Sequence, residues 1–235
     1  MVKRGRRPVA VELAHLRQRP DWPRWRSALR EMTLGRPRPF PQLPTTSANA
    51  LHLAYHLCRF EEATGVGPET VTFILEFCGG YGGTCRLVHR LGFRGIYAIF
   101  DLPEVGALQR FYLGHARLPV RRWGRESAAG PGIVTLSSVD DLAKVIDARP
   151  SGTALFIATW SLGETPLQLR EPVLDAVGDF DAFLLGYTAR FREVSNRETF
   201  GRWRTRLPDH AWQEWPLPHL GKAEFYLFGN RPVSR

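Results

Sequence analysis

Two rhythms of apolar residues alternate along the chain. Short continuous runs, Phe73-Ile74-Leu75 with Phe77, then Tyr97 to Phe100, Ile133 to Leu136, Ala154 to Thr159 and Phe180 to Tyr187, have the length and the aromatic or branched content of strands buried on both faces. Between them the apolar positions fall at helical spacing: a helix starts at Leu87 and Val88, and others are predicted near Glu104 to Gly114, Val139 to Ala148 and Pro166 to Val177. Upstream, Thr46 to Ala63 reads as a helix capped by Ser47, with Leu51, Ala54, Tyr55, Leu57 and Cys58 on one face, closed by Gly65, Gly67 and Pro68. Shorter helices are expected near Val9 to Arg19 and Pro23 to Glu31, and prolines at 37, 39, 41 and 44 make the arm that follows irregular. The end, Trp212 to Gly229, alternates as two strands that pair antiparallel across Pro216 to Gly221. Strands alternating with helices predict an α/β fold, a doubly wound, mainly parallel sheet with an antiparallel C-terminal hairpin. Residues 1–70 then form a helical arm and cover, and 71–235 the sheet domain.

The first of these strands carries the most informative junction. Thr72 to Val88, TFILEFCGGYGGTCRLV, runs from a strand through an acid, Glu76, into a turn containing Gly79, Gly80, Gly82 and Gly83, and out into a helix. Glycines there allow backbone angles that other residues avoid, so a ligand can approach the main chain. After the second strand, IYAIFDLPEV places Asp101 about twenty residues beyond the glycines, where an acid accepts the ribose hydroxyls of an adenosine cofactor. Pro103 suits the first turn of the next helix.

The pairing of ILEFCGGYGG with YAIFDLPEVGALQRFYL, followed by TWSLGETP and YLFGNRP, resembles the sugar O-methyltransferases, within the wider S-adenosylmethionine-dependent methyltransferases. The resemblance runs from about Val71 to Arg231. The tyrosine among the glycines and the Asp-Leu-Pro tripeptide make it more specific than glycines alone, and set it apart from dinucleotide dehydrogenases. It implies a Rossmann-like methyltransferase topology, S-adenosylmethionine as cofactor, and a sugar or glycosylated small molecule as acceptor. In the wider family the turn reads acid-x-Gly-x-Gly-x-Gly. Here Glu76 fills the acid position, Gly80 and Gly82 fill the second and third glycines, and Cys78 stands at the first, which puts the tightness of the turn in question.

In a doubly wound sheet ligands lie at the carboxyl ends of the strands, near the point where strand order reverses, and that rule nominates side chains independently. After the first strand these are Glu76, Cys78, Gly79, Gly80 and Gly82, with Tyr81 packing over the methionine part of the cofactor. Asp101 follows the second strand, with Leu102 beside the adenine; Ser138 and Val139 follow the third and bracket the adenine edge. Thr159 and Trp160 follow the fourth, next to the transferable methyl, with Ser161 on the acceptor side. A sugar hydroxyl is a poor nucleophile while it keeps its proton, so a base is sought there. Glu164 and His219 are the candidates, with His115 less well placed; Tyr187 and Asn196 are candidates to orient sugar hydroxyls. His52 and His56, four apart on a helix, lack a third ligand nearby in sequence, so no metal is expected.

Composition sets the remaining bounds. At 235 residues, 43% hydrophobic, the chain can bury one substantial core. No apolar run approaches the roughly 20 residues that span a bilayer, and the basic start MVKRGRRPVAVELAHLRQRP has no apolar segment of signal-peptide length. Cys58, Cys78 and Cys85 are odd in number and lack metal spacing, so a reduced cytoplasmic protein is expected. Of the 32 basic residues only Lys3, Lys144 and Lys222 are lysines, and the net charge is +9. The excess is dispersed over Lys3 to Arg7, Arg17 to Arg30, Arg117 to Arg125 and Arg190 to Arg206. Such dispersion favours solvated faces over a nucleic-acid groove. The alternatives left standing are methylation of a nitrogen or a non-sugar hydroxyl, a basic nucleic-acid module stacking bases on Trp22, Trp25, Trp123 and Trp203, and a non-catalytic scaffold, raised by Cys78. Homo-oligomers are left open.

Overall fold

The computed structural model describes residues 6–124 and 130–232. Lys3 and Arg4 of the first basic cluster and Arg125 of the third lie outside the described residues. The chain opens with helices α1 (Arg6–Gln18) and α2 (Trp22–Ala28), then a small antiparallel hairpin, β1 (Pro39–Phe40) with β2 (Leu43–Ser47), and the long helix α3 (Ala48–Thr64). A 3-10 turn, Pro68–Thr70, leads into β3 (Val71–Phe77), α4 (Gly83–Arg90), β4 (Ile96–Phe100), α5 (Pro103–His115), β5 (Val120–Arg122), β6 (Gly132–Leu136) and α6 (Val139–Asp147). Then come β7 (Thr153–Thr159), the 3-10 turn Leu162–Glu164, α7 (Leu167–Ala176), β8 (Ala182–Thr188), the short pair β9 (Arg190–Phe191) and β10 (Val194–Ser195), α8 (Asn196–Arg204), β11 (Ala211–Pro216) and β12 (Glu224–Asn230).

Eight of these strands form one sheet, ordered β11-β12-β8-β7-β3-β4-β6-β5. All neighbours from β8 to β5 are parallel, and β12 is antiparallel to both β8 and β11. The architecture is the expected mainly parallel sheet with an antiparallel C-terminal hairpin. From β3 the chain moves outward to β4 and β6, then returns to lay β7 on the other side of β3, so the order reverses between β3 and β7.

Both faces of the sheet are covered, which is why its strands read as continuous apolar runs. Ile74, Tyr97, Ile99, Leu155, Ile157, Leu184, Tyr226 and Phe228 point to one face, where they pack with Leu51, Ala54 and Leu57 of α3, Val9, Leu13 and Leu16 of α1, and Trp25 of α2. Alternate residues, Phe73, Leu75, Phe77, Ala98, Phe100, Phe156 and Leu185, point to the other, with Val145 of α6, Val173 of α7 and Phe200 of α8. The N-terminal helices thus share one core with the sheet. Local signals set the helix ends: the Ser47 side chain accepts from Ala50 N at 3.1 Å, Gly65 closes α3 at φ 72°, and Ser138 and Ser195 cap α6 and α8.

Six elements were not expected from the sequence. The β1-β2 hairpin lies inside the proline-rich arm, β5 is a three-residue edge strand, β9-β10 is shorter still, and α8 reads as polar because only Phe200 and Trp203 of NRETFGRWR, with Asn196, turn inward. No helix among the described residues is long and apolar enough to cross a membrane.

Candidate functional site

At the reversal point both central strands end on a residue with left-handed backbone. Cys78, after β3, has φ 56°, and Trp160, after β7, has φ 54°. Such angles are uncommon outside glycine, and for a bulky tryptophan they are a true outlier, held only where surrounding bonds over-determine them. Those bonds are present. Cys78 N donates to Phe100 O at 2.8 Å, Trp160 N donates to Gly186 O at 2.7 Å, and the Ser161 hydroxyl donates to Phe77 O at 2.8 Å, tying the two strand ends together.

The glycines divide their work. Gly79 has no room for a side chain: a Cβ there would lie 2.6 Å from Glu76 Oε2. Gly80 and Gly82 take φ 57° and 93°, and beyond Gly80 there is open space. Cys78 occupies the conformation a glycine would adopt. Its side chain is exposed at the turn, while desolvation by the surrounding chain and then the carboxylates of Asp101 and Glu76 push the thiol up to about 12, so it stays protonated at neutral pH.

Two acids support this turn. Glu76 is buried beneath it and accepts from Tyr97 Oη at 2.9 Å; burial lifts its carboxyl to about 7, against the opposing bonds from Tyr97 and Thr84. Asp101, also buried, accepts from Leu102 N and from Gln109 Nε2, each at 2.9 Å, and burial raises its pKa as well. Gln109 Nε2 also donates to Gly80 O at 2.9 Å, so one buried amide joins the acid after β4 to the glycine turn after β3. Its Oε1 is buried without a hydrogen-bond partner. Gln109 was missed in the sequence because a glutamine inside an amphipathic helix gives no signal of its own.

Leu102 and Val139 are 65% and 40% exposed, two apolar side chains facing solvent beside Asp101 and after β6. Ser138 spends its hydroxyl on capping α6. The Tyr81 hydroxyl accepts from Asn49 Nδ2 of α3 at 2.9 Å, and its ring stands edge-on to Tyr112 at 4.8 Å. Thr159 is the half-buried last residue of β7.

Around Trp160 the helical cover contributes more than the sequence suggested. Trp160 Nε1 donates to Glu224 Oε2 at 2.5 Å, and its ring lies 5.3 Å from His56, 5.9 Å from His52 and 6.0 Å from Tyr226. His56 Nδ1 is 2.5 Å from Tyr226 Oη. His52 Nδ1 is 2.6 Å from Glu12 Oε1, and His219 Nε2 reaches the same oxygen at 3.3 Å. Glu12 of α1 is fully buried; burial pushes its carboxyl up, but the bonds from His219 and His52 outweigh it and leave the pKa below the ordinary value. Asn49, His52 and His56 recur on one face of α3, a pattern legible in ANALHLAYH once that helix is known to cover the strand ends.

The structure does not bring Glu164 and His219 together. Glu164 is exposed on its 3-10 turn after β7, on the α7 side, whereas His219 lies against Tyr55 and Glu12 under the cover. Tyr187 is buried on the opposite face of the sheet between Phe200 and Phe225. Asn196 is buried too: its Oδ1 accepts from Arg170 Nη1 at 2.8 Å and its Nδ2 donates to Thr188 O at 2.9 Å, so its amide holds protein rather than facing the strand ends. The bases to be stacked by the tryptophans would find Trp25 and Trp203 in the core. Arg86 and Arg90 donate to the main-chain carbonyl of Arg30, and Arg90 to that of Ser27 at 2.7 Å, closing the end of α2. Among the described residues one trio has metal-ligand proximity, His15, Cys58 and Glu62, and its carboxylate is already shared with Arg19 and Arg59 at 3.6 and 3.5 Å.

No family model and no curated protein sequence matches this chain. Among solved structures it is similar to the magnesium protoporphyrin IX methyltransferase of Synechocystis PCC 6803 with bound S-adenosylmethionine, at 10% identity and TM-score 0.53, over 99% of this chain and 100% of that one. The same enzyme with bound S-adenosylhomocysteine matches at 10% identity and TM-score 0.50, over 96% and 100%. A candidate RNA methyltransferase from Pyrococcus horikoshii matches at 12% identity and TM-score 0.51, over 89% and 98%. The sheet order and the glycine turn after its central strand define a Rossmann-like α/β fold. Within that class, the chain has the fold of the S-adenosylmethionine-dependent methyltransferases.

Proposed function

We propose that the protein is an S-adenosylmethionine-dependent O-methyltransferase whose acceptor is a sugar or a glycosylated small molecule. The observation that carries the reading is the unit built by Gln109, which fixes Asp101 and Gly80 together at the reversal point. An acid held against a glycine turn is the arrangement an adenosine cofactor needs, and the fit is supported by three features of these residues. Leu102 N and Gln109 Nε2 supply two bonds to a carboxylate with about four acceptor sites, leaving capacity for ribose hydroxyls. Leu102 and Val139 offer apolar surface for a planar base. Gly80 leaves open space above the turn.

In this reading residues 1–70 are the cover and 71–235 the catalytic domain. Asp101 holds the ribose, Leu102, Ser138 and Val139 flank the adenine, and Glu76, Cys78, Gly79, Gly80, Tyr81 and Gly82 form the wall beside the methionine part, with Thr159 and Trp160 beyond it. When bound, the cofactor supplies an electrophilic methyl on sulfur. What the chain contributes is alignment of an acceptor oxygen with that methyl, exclusion of water by the α1-α3 cover, and a group that takes the hydroxyl proton. The Trp160 indole, fixed by Glu224 and by its backbone bond to Gly186 and packed beside His56 and Tyr226, is a rigid part of the wall at the end of β7. The sugar assignment follows the motif resemblance. Incubation with labelled S-adenosylmethionine and a mixture of p-nitrophenyl glycosides, simple amines and RNA tests it: label in a glycoside ether supports the reading, and label only in amines or in RNA overturns it.

A further inference from the structure

Basic segments that lie far apart in the sequence come together at one place. Arg86 and Arg90 of α4, His115 and Arg117 at the end of α5, and Met32 and Leu118 line an open cleft of about 340 Å³. Met32 also borders an adjoining cleft of about 410 Å³, whose walls include Arg30 and Arg36 of the arm. The sign of the charge is uniform: residues 32–46, 77–100 and 105–122, the segments that build these walls, contain no Asp or Glu. Glu31 is the acid at the edge, and it is engaged, accepting from Ser47 Oγ at 2.5 Å and lying 3.7 Å from Arg86 Nη1.

Two of the arginines have a structural task, since Arg86 and Arg90 close the end of α2 on the carbonyls of Arg30 and Ser27. That task does not account for the others. Arg30, Arg36 and Arg117 are exposed, and their guanidiniums make no hydrogen bond or ion pair with the described residues. Crowding of like charge is unfavourable: burial, then Arg86 and Arg30, hold the Arg90 guanidinium below its ordinary value. The backbone adds a second sign. Arg117 N donates to Gly114 O at 2.9 Å and Leu118 N to Leu113 O at 3.1 Å, a helix-ending turn whose left-handed position glycine usually fills; here it is arginine at φ 59°. Arg36 is left-handed too, at φ 46°, directly after Gly35. An arginine where glycine would be easier, in a cleft already crowded with positive charge, is a local cost that a bound anion offsets.

We propose that this cleft binds a phosphorylated small molecule, with Arg90 and Arg117 gripping its phosphate, Arg30 reaching it from the rim, and Met32, Ala116 and Leu118 packing against its organic body. The guanidinium fork matches phosphate oxygens two at a time. The volume is that of a small-molecule pocket, and walls that set arginines beside apolar side chains suit an organic phosphate better than a bare ion or an extended nucleic-acid backbone. The cleft is separate from the cofactor site. The glycine turn meets α4 at Gly83, whereas Arg90 is the last residue of that helix, about 10 Å along its axis.

The test is titration calorimetry of the full chain in about 150 mM NaCl, with phenyl phosphate as the probe and inorganic phosphate and a short oligouridylate as comparisons. One phenyl phosphate per chain is expected, bound at least about tenfold more tightly than inorganic phosphate because the ring covers the apolar wall. Arg30→Gln and Arg117→Gly should each weaken it at least about tenfold. Arg117→Gly should also raise the urea midpoint, since glycine relieves the turn, and binding lost from a more stable chain is a result that a merely structural arginine does not give. Saturating phenyl phosphate should leave S-adenosylmethionine binding unchanged. No saturable binding of phenyl phosphate to the wild type, unchanged affinity in both variants, or inorganic phosphate binding as tightly as phenyl phosphate overturns the inference. Tighter binding of the oligouridylate, lost in the same variants, overturns it by assigning the arginines to a nucleic-acid surface. Displacement of S-adenosylmethionine by phenyl phosphate overturns it by placing the probe in the cofactor site.

Discussion

Replacing Glu76 by glutamine isolates the cost of a buried charge under the glycine turn. Its carboxyl is lifted from 4.5 to about 7 by burial, with Tyr97 and Thr84 only partly offsetting the loss of water and Asp101 adding repulsion. Each tenfold change in proton affinity is worth about 1.4 kcal/mol, so the ionised form costs the folded protein roughly 3 kcal/mol relative to the unfolded chain. The sign follows from proton uptake. Between about pH 4.5 and 7 the folded state binds more protons than the unfolded one, so stability contributed by this group is complete below that window and is lost as pH rises through it. Glutamine keeps the shape and the capacity to bond Tyr97 but cannot ionise. Urea unfolding of wild type and Glu76→Gln at a series of pH values should therefore give similar stabilities near pH 4.5, diverging to a variant advantage of about 3 kcal/mol by pH 8. Parallel stability curves across that range would refute the reasoning.

At Cys78, glycine should relieve a left-handed backbone that costs a side chain about 1–2 kcal/mol, partly offset by the flexibility glycine gives the unfolded chain; a net gain of about 0.5–1 kcal/mol in urea, with cofactor affinity kept or tightened, is expected. Clear loss of binding by calorimetry would show that the sulfur itself contacts the ligand. Asn196→Ala should lower stability by about 1–3 kcal/mol, because Arg170 Nη1 and Thr188 O lose their partner in the interior, and should leave KM for the acceptor unchanged. A raised KM with unaltered unfolding would return Asn196 to the acceptor site.

The sheet was legible because parallel strands covered on both faces are built mostly from apolar residues, and the runs at Phe73, Tyr97 and Ile133 say so directly. The turn was legible for a different reason. Gly79, Gly80 and Gly82 each meet a steric or backbone demand that only local sequence can satisfy, and Asp101 stands at a fixed distance from them. The polar cluster under the N-terminal helices was not legible, because its residues meet only through tertiary packing. Nothing in the sequence joins Glu12 to His52, forty residues away, or His219 to both. Glu164 and His219 were paired by their places after strand ends, but Glu164 follows the 3-10 turn to the α7 side of the sheet while His219 folds under α1. Asn196 and Tyr187 show the same effect in reverse: polar groups near strand ends were read as facing a substrate, and the fold spends them on Arg170 and on an aromatic core.

Titration calorimetry with S-adenosylmethionine on the wild-type chain and on Asp101→Ala addresses the central claim, that the unit joining Asp101, Gln109 and the glycine turn holds this cofactor. Saturable binding at one site per chain is expected for the wild type, weakened in the variant by about 1.5–3 kcal/mol, or roughly ten- to a hundredfold, while the urea midpoint shows that the variant remains folded. Equal affinity in the two proteins, or no heat of binding in a folded wild type, would contradict it.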